Sequence, residues 1–365
     1  MDFSLTEEQQ LLQLNIRKFA NENLLEGATD RDKSKEWPKK EIKMMSDLGL
    51  LGMMVSEDWG GGNMDTVSYV IAMEEIARAD ASASVVMSVN NSLVCYLIEK
   101  HASNYLKEKY LSDLATGKKL GAFSLSEPQS GSDASNMITF ADKKDDKYVI
   151  NGTKNWVTNG LNSDLVIVFA VTEKKVGYKG VSCFLIDKSN SGFSVGLPEK
   201  KLGLRSSDTT ELYFKDVEIS NKQLIGEEGK GFNIAMSTLN AGRIGIAAQA
   251  LGIAQASLSA AISYANERHQ FSKPIASNQA IQFKIADIAT ELEAARLLTY
   301  KAAYMKDKKM RYEHMSAMAK LYASEVAMKA STQCVQIHGG YGYIEETGVE
   351  RLMRDAKITQ IYEGT

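Results

Sequence analysis

Proline and cysteine are scarce in this sequence, and its few histidines are scattered. Only four prolines occur among 365 residues. No Pro/Ser-rich linker separates its parts, so they are expected to share interfaces rather than move as beads. The three cysteines, Cys95, Cys183 and Cys334, lie far apart and are odd in number. That excludes a disulfide framework or metal knuckle and leaves small core residues in a reducing compartment. The four histidines, His101, His269, His314 and His338, form no HExxH motif or His–carboxylate cluster, so no catalytic metal is expected. Long apolar runs are missing too: none approaches the roughly 20 residues of a membrane helix. A net charge of -3 leaves no basic footprint for nucleic acid. The N-terminal "MDFSLTEEQQ" is acidic and polar, unlike a signal peptide or an Arg-rich transit peptide. A cytoplasmic bacterial protein is expected, or a mitochondrial-matrix protein if a transit peptide has been removed.

The length allows two or three packed units, and 44% hydrophobic with 24% charged residues suits an ordinary globular chain. Residues 1–120 read as a helical domain. "SLTEEQQLLQLNIRKFANENL" places Leu11, Leu12, Ile16 and Phe19 on one face, with Ser4 and Glu7 as a capping box. "DTVSYVIAMEEIARADASASVVMSVNNSLVCYLIEK" predicts two further helices, nearly buried, after a turn at "DWGGGN". Residues 121–226 change period. "GAFSLSE", "KYVINGTKNWVTNG", "DLVIVFAVT", "VSCFLID" and "TTELYFKDVEI" are short β-rich runs separated by turn clusters, with no helix between them. They predict an antiparallel β domain. Residues 227–365 return to helical spacing, with long segments around 276–305 and 311–337, and the small residues suit a bundle. The predicted fold class is α+β, in the order α, β, α.

Several stretches have a composition that suits chemistry. "GEEGKGF" follows a strand and opens a helix but matches no phosphate-loop pattern, so a Gly-rich crossover is the plainer reading. In "FSLSEPQSGSD", Ser126, Ser132 and backbone amides can receive polar parts of a ligand, or the stretch is an ordinary turn. Trp156 and Thr158 in "KNWVTNG" are two apart on a strand and share a face, which suits a flat heterocycle; a core Trp beside a chance Thr is the alternative. Arg243 in "NAGRIG" begins an apolar helix and needs an anionic ligand or a surface salt bridge. "ERHQFSKP" sets Arg268, His269 and Phe271 in a loop between helices, and "VQIHGGYGY" turns tightly at Gly339 and Gly340. Those glycines either admit a ligand or merely end a helix. The final "QIYEGT" holds one carboxylate, Glu363, and reads either as a frayed tail or as the turn of a catalytic base.

In combination these motifs resemble the acyl-CoA dehydrogenase family over the whole chain. The resemblance rests on "AFSLSEPQSGSDAS", "NGTKNWVTNG", "GEEGKGF", "NAGRIGIAAQALGIAQ", "ERHQFSKPI", "QIHGGYGY" and "LMRDAKITQIYEGT", and is nearest to the short-chain, butyryl-CoA-type branch. It implies an N-terminal helical domain, a middle β domain and a C-terminal four-helix bundle, in a homotetramer. It also implies non-covalent FAD, partly across a subunit interface. Phe123, Leu125, Ser126, Trp156 and Thr158 would line the flavin ring, with Thr158 near its reactive nitrogen. Arg268, Phe271 and Gln279 would reach the pyrophosphate and adenosine of a neighbour's FAD. Gln336, Gly339 and Gly340 belong to that adenine end, and Thr365 also contacts the cofactor. Ser132, Asn240, Arg243 and Gly364 would meet the acyl-CoA. The position of Asn240 is commonly Asp in the family, so its contact loses a charge. The family pattern continues past "YEGT" with a helix, so the bundle is expected to lack its last helix in this sequence.

The implied reaction is α,β-dehydrogenation of an acyl-CoA to the trans-2-enoyl-CoA, a step of β-oxidation. Glu363 would remove the α proton and the β hydrogen would leave as hydride to the flavin. The Glu363 N–H and a flavin ribityl hydroxyl would hold the thioester oxygen. Burial would raise the Glu363 pKa. Electrons would pass to an electron-transferring flavoprotein. The alternatives are an enoyl-CoA reductase or acyl-CoA oxidase on the same scaffold, or a non-catalytic acyl-CoA- or flavin-binding component.

Overall fold

The computed structural model describes residues 4–365. Helix α1 (Glu7–Ala20) starts at an extended Thr6. The Thr6 hydroxyl accepts from Gln9 N at 3.2 Å, and Thr6 N donates to the Gln9 side chain at 3.2 Å. The capping box is thus Thr6 with Gln9, two residues beyond the expected Ser4 and Glu7, because the chain enters its first helical turn there. Leu12, Ile16 and Phe19 face inward, but Leu11 is 60% exposed. It lies one residue off the stripe, about 100° around the helix.

One wider turn joins α1 to α2 (Glu26–Ser34), and α3 (Lys39–Asp47) follows. Asp80 separates α4 (Thr66–Ala79) from α5 (Ala81–Ser88). Its carboxylate accepts from Ser82 N at 2.9 Å and Ala83 N at 3.1 Å, capping α5. The chain stays helical from α5 into α6 (Tyr96–His101), then α7 (Asn104–Leu106) and α8 (Ser112–Ala115).

The middle part is one sheet of β1 (Gly121–Ser124), β2 (Phe140–Lys144), β3 (Lys147–Thr158), β4 (Leu165–Val171), β5 (Val181–Asp187), β6 (Phe193–Val195), β7 (Thr209–Ser220) and β8 (Leu224–Ile225). Its order is β6-β7-β3-β2-β4-β5-β8, with β1 beside β4. The sheet is mixed rather than wholly antiparallel, since β4 runs parallel to β1 and to the end of β2. Between β1 and β4 the chain passes through a long loop and the β2–β3 hairpin, a crossover long enough to re-enter in the same direction. Strands β4 and β5 read as unbroken apolar runs because both faces are covered. Leu165, Ile167, Phe169, Val181, Cys183 and Leu185 join the core shared with the helices. Val166, Val168, Ala170, Phe184 and Ile186 join a second core on the other face. All three cysteines are free and buried.

The last part holds α9 (Gly231–Glu267), a hairpin of β9 (His269–Gln270) and β10 (Lys273–Pro274), α10 (Gln279–Asp307), α11 (Glu313–His338) and α12 (Val349–Thr359). Helix α9 packs on α11 and on α4, which joins the N-terminal helices to the bundle. Two helical stretches, Ala81–His101 and Gly231–Glu267, do reach membrane-span length and hydropathy, contrary to the sequence expectation. Of their most apolar windows, 94% and 78% are buried inside the protein, as befits helices that are apolar all round. The "GEEGKGF" stretch is a close crossover. Gly229 N donates to Ser182 Oγ at 2.9 Å, and a Cβ on Gly231 would come within 2.4 Å of the Ser182 backbone.

A buried ion pair holds the loop that follows β1. Lys154 Nζ donates to Glu127 Oε1 at 2.8 Å and to Leu125 O at 3.0 Å. Ile138 N and Thr139 N also donate to the Glu127 carboxylate, at 2.7 and 3.1 Å. Burial opposes ionisation of Glu127, but Lys154 and these donors outweigh it and hold its pKa below the usual carboxylate value. Lys154→Met leaves that charge buried and unpaired, and should cost about 3–5 kcal/mol in urea unfolding. The Lys154→Met, Glu127→Leu double variant should recover most of the loss. A single variant as stable as the parent contradicts this account of the loop.

Candidate active site

Past the end of α12, Tyr362 N donates the last helical bond to Ile358 O at 3.1 Å. Glu363 and Gly364 then adopt positive φ values of 53° and 100°. A left-handed Glu costs about 1 kcal/mol or more, so its surroundings must hold it. Arg243 Nε donates to Glu363 O at 3.0 Å, and Lys320 Nζ donates to Gly364 O. The Tyr362 hydroxyl donates to the Gln249 carbonyl. Gln249 donates in turn to Ala81 O at 2.9 Å and Ser84 Oγ at 3.0 Å. The turn is therefore tied to α9, to α11 and, through Gln249, to α5.

The Glu363 side chain lies against α9. A Cβ on Gly242 would sit 2.3 Å from Glu363 Oε2 and 2.8 Å from Leu93 Cδ2, so only glycine leaves room for the carboxylate there. Glu363 Oε2 is buried and accepts no hydrogen bond. Burial pushes the Glu363 pKa up to about 8, against the opposing charges of Lys320 and Arg243. One turn along α9, a Cβ on Gly245 would lie 2.7 Å from the hydroxyl of the fully buried Tyr69. That hydroxyl donates to Ser88 Oγ at 3.2 Å, and burial raises its pKa to about 12. A half-buried carboxyl group titrating near neutrality, with one oxygen shielded and without a partner among the described residues, can take a proton from a carbon acid.

Arg243 has neither a surface salt bridge nor a carboxylate partner among the described residues. It donates to Glu363 O and, through Nη1, to Asn240 Oδ1 at 2.8 Å. The Asn240 carbonyl thus orients Arg243.

The predicted flavin-ring residues gather where β1 exits beside the end of β3. Asn155 N donates to Ser126 O at 2.9 Å, and Lys154 holds Leu125 as described. Leu125 is buried, while Phe123, Ser126 and Thr158 are half-buried. Trp156 is 61% exposed with φ 60°, at a slip in the β3–β7 register. Val157, between Trp156 and Thr158, is buried.

The predicted adenine-end residues occupy the other end of the bundle. Arg268, Gly339 and Gly340 line a cavity of about 500 Å³ with Tyr264, His338 and Tyr341. A Cβ on Gly339 or Gly340 would meet nothing within 4 Å, so both face open space. Phe271 is 92% exposed, and Gln279, at the start of α10, and Gln336, near the end of α11, are exposed too. Along α11, Gln336 lies about 24 Å from Lys320 at 1.5 Å per residue. The adenine-end residues therefore lie well away from the Glu363 turn, which Lys320 holds. Ser132 and Thr365 are exposed, and no hydrogen bond joins either to the Glu363 turn among the described residues. An open indole beside a hydroxyl, and an arginine beside two open glycines, fit the flat ring and the phosphate-bearing tail of a dinucleotide.

Three family models match in chain order: the acyl-CoA dehydrogenase N-terminal domain over residues 6–118, the middle domain over 122–217 and the C-terminal domain over 229–365. The chain belongs to the acyl-CoA dehydrogenase family. These enzymes are oxidoreductases, and the shared reaction is acyl-CoA dehydrogenation. The short-chain specific acyl-CoA dehydrogenase of Clostridium acetobutylicum is 45% identical over 365 residues, covering 100% of this chain and 96% of that protein. The solved butyryl-CoA dehydrogenase of Megasphaera elsdenii superposes with TM-score 0.98 at 46% identity, covering 100% and 96% of the two chains. A structure described with the electron transferring flavoprotein of Acidaminococcus fermentans and flavin-based electron bifurcation gives the same TM-score of 0.98, identity of 46% and coverage of 100% and 96%. The FAD complex of PigA is also similar, at TM-score 0.96 and 30% identity, covering 100% and 96%.

Sequence reasoning did not single out Gly242, Tyr69, Gln249 or Lys320. Gly242 had a signal, since a glycine inside a helix is unfavourable without a packing reason. Gly242→Ala should gain helix propensity yet displace the Glu363 carboxylate. Its dehydrogenation rate should fall at least about tenfold. A rate equal to the parent's contradicts the placement of Glu363 over Gly242.

Proposed function

We propose that this acyl-CoA dehydrogenase oxidises a short-chain acyl-CoA to its trans-2-enoyl-CoA with Glu363 as the base. The observation that carries the reading is the unpartnered, buried Glu363 Oε2 over Gly242. The α proton of a thioester is weakly acidic and needs both a base and polarisation of the carbonyl. Glu363 takes that proton, and its own N–H, past the last helical bond, points to the thioester oxygen as its target. The Tyr69 hydroxyl against Gly245 closes the space along α9 beyond Glu363, which supports a short acyl chain, as do the names of the relatives above.

FAD is the cofactor of this reading, and bound FAD supplies the acceptor for the hydride that leaves the β carbon. Phe123, Leu125, Ser126, Trp156 and Thr158 hold its ring. Arg268, Phe271, Gln279, Gln336, Gly339 and Gly340 serve the pyrophosphate and adenosine of a neighbour's cofactor, and Thr365 serves the cofactor too. Exposed apolar residues on α10 and α11, among them Phe283, Leu297, Met318 and Leu321, support a homotetramer. Ser132, Asn240, Arg243 and Gly364 serve the acyl-CoA, with Asn240 acting through Arg243. An electron-transferring flavoprotein is the electron acceptor, a reading supported by the structure described with such a protein.

Glu363→Gln should retain FAD and lose about 10²–10⁴-fold in anaerobic flavin bleaching by butyryl-CoA. Bleaching at the parent rate would falsify the base assignment. The base works only when ionised, so the parent's rate should rise with pH with a midpoint at about 8; a profile flat through that range contradicts it. Arg268→Ala should lose FAD on gel filtration, and unchanged flavin content would sink its cofactor role.

A further inference from the structure

We propose that Lys320 is a positioning residue for the base: it fixes the Glu363–Gly364 turn through the Gly364 carbonyl and sets a positive charge beside the carboxylate. This deepens the reading above and rests on Glu363 being the base.

Lys320 is 3% exposed, on an α11 face that also buries Ala319 and Ala323. An ammonium there loses its hydration and requires compensation. Yet it forms no ion pair within 4.0 Å among the described residues, and its one hydrogen bond is to Gly364 O. A lysine kept in an alanine-lined setting for a single backbone carbonyl indicates that the carbonyl's position matters. Two consecutive carbonyls of the left-handed turn are each held by a cation from a different helix, Glu363 O by Arg243 of α9 and Gly364 O by Lys320 of α11. Arg243 turns Nε to Glu363 O and Nη1 to Asn240 Oδ1, and Gly364 O is held by Lys320.

The charges around the carboxylate are few. Lys320 of α11 and Arg243 of α9 favour its ionised form. The Tyr69 and Tyr362 hydroxyls face it from α4 and from its own turn. Burial lowers the Lys320 pKa to about 8, while Glu363 and, five residues on, Glu325 favour its charge and Arg243 opposes it. Removing the Lys320 charge therefore moves Glu363 titration to higher pH, while a residue that only filled space would leave it in place.

The test measures substrate-driven flavin reduction against pH for the parent, Lys320→Met and Lys320→Arg holoenzymes, with FAD content and thermal midpoint recorded. Lys320→Met should keep FAD, slow reduction about tenfold or more, and displace the acid limb of the profile to higher pH. Lys320→Arg, which keeps the charge, should return the limb towards the parent position. The inference is overturned if Lys320→Met lowers only the thermal midpoint, or if Lys320→Arg shifts the limb as far as Lys320→Met. Should Lys320→Met not fold, Lys320→Gln keeps a donor without the charge and reads the same limb. Glu363→Gln separates the two levels: if it is inactive while Lys320→Met behaves as the parent, the base assignment stands and this inference alone fails.

Discussion

A carboxylate removed from water resists ionisation, and an acid that never ionises is no base. The structure around Glu363 balances these demands. Gly242 lets the side chain press against α9, where Leu93 and the α9 backbone displace water. Burial alone would drive the group far towards its neutral form. Lys320 and Arg243 oppose that shift without pairing directly with the carboxylate, so its pKa rests at about 8 rather than beyond reach. A direct salt bridge would have lowered it to a value useless for taking a proton from carbon. The same two cations bind the turn's backbone carbonyls and thereby offset its left-handed strain.

Much of the fold follows from providing that setting. Helix α9 is small-residue-rich because α4, α5 and α11 approach it closely, and those contacts exclude water behind Glu363. Tyr362 bonds Gln249, which bonds Ala81 and Ser84, while Tyr69 bonds Ser88, so both sets of bonds end on α5. The sheet uses buried charge in the opposite way. Lys154 and Glu127 are fully paired with each other and with backbone groups, so they shape the β1 exit loop and have no free valence for chemistry. One acid is satisfied by its neighbours; the other has an oxygen left without a partner among the described residues.

The order of helices, strands and helices was legible in the sequence because period 3.6 gives way to β-rich runs at Gly121 and returns after Gly231. Glu363 was singled out as the proposed base by the family pattern, and Trp156 with Thr158 as a candidate pair by two-residue spacing. Other features depended on tertiary context. Strand β2, "FADKK", has little apolar signature, and nothing local in β1 and β4 shows that the crossover between them sets them parallel, so the mixed sheet read as antiparallel. Leu11 matched an apolar stripe that the fold places one residue over. Polar Ser, Asn and Thr hid the span-length apolar helices, since their side chains are satisfied internally. Lys320 looks like a solvated helix charge, because nothing local shows that the Gly364 carbonyl will meet it from 44 residues away.

The central claim is that Glu363 is a buried, unpartnered carboxyl whose pKa the fold raises to the working range. Infrared difference titration tests it directly, using the protonated-carboxyl band that is present in the parent and absent in Glu363→Gln. The account predicts that this band disappears with a midpoint of about 8. A midpoint near the ordinary carboxylate value of about 4.3 would contradict it.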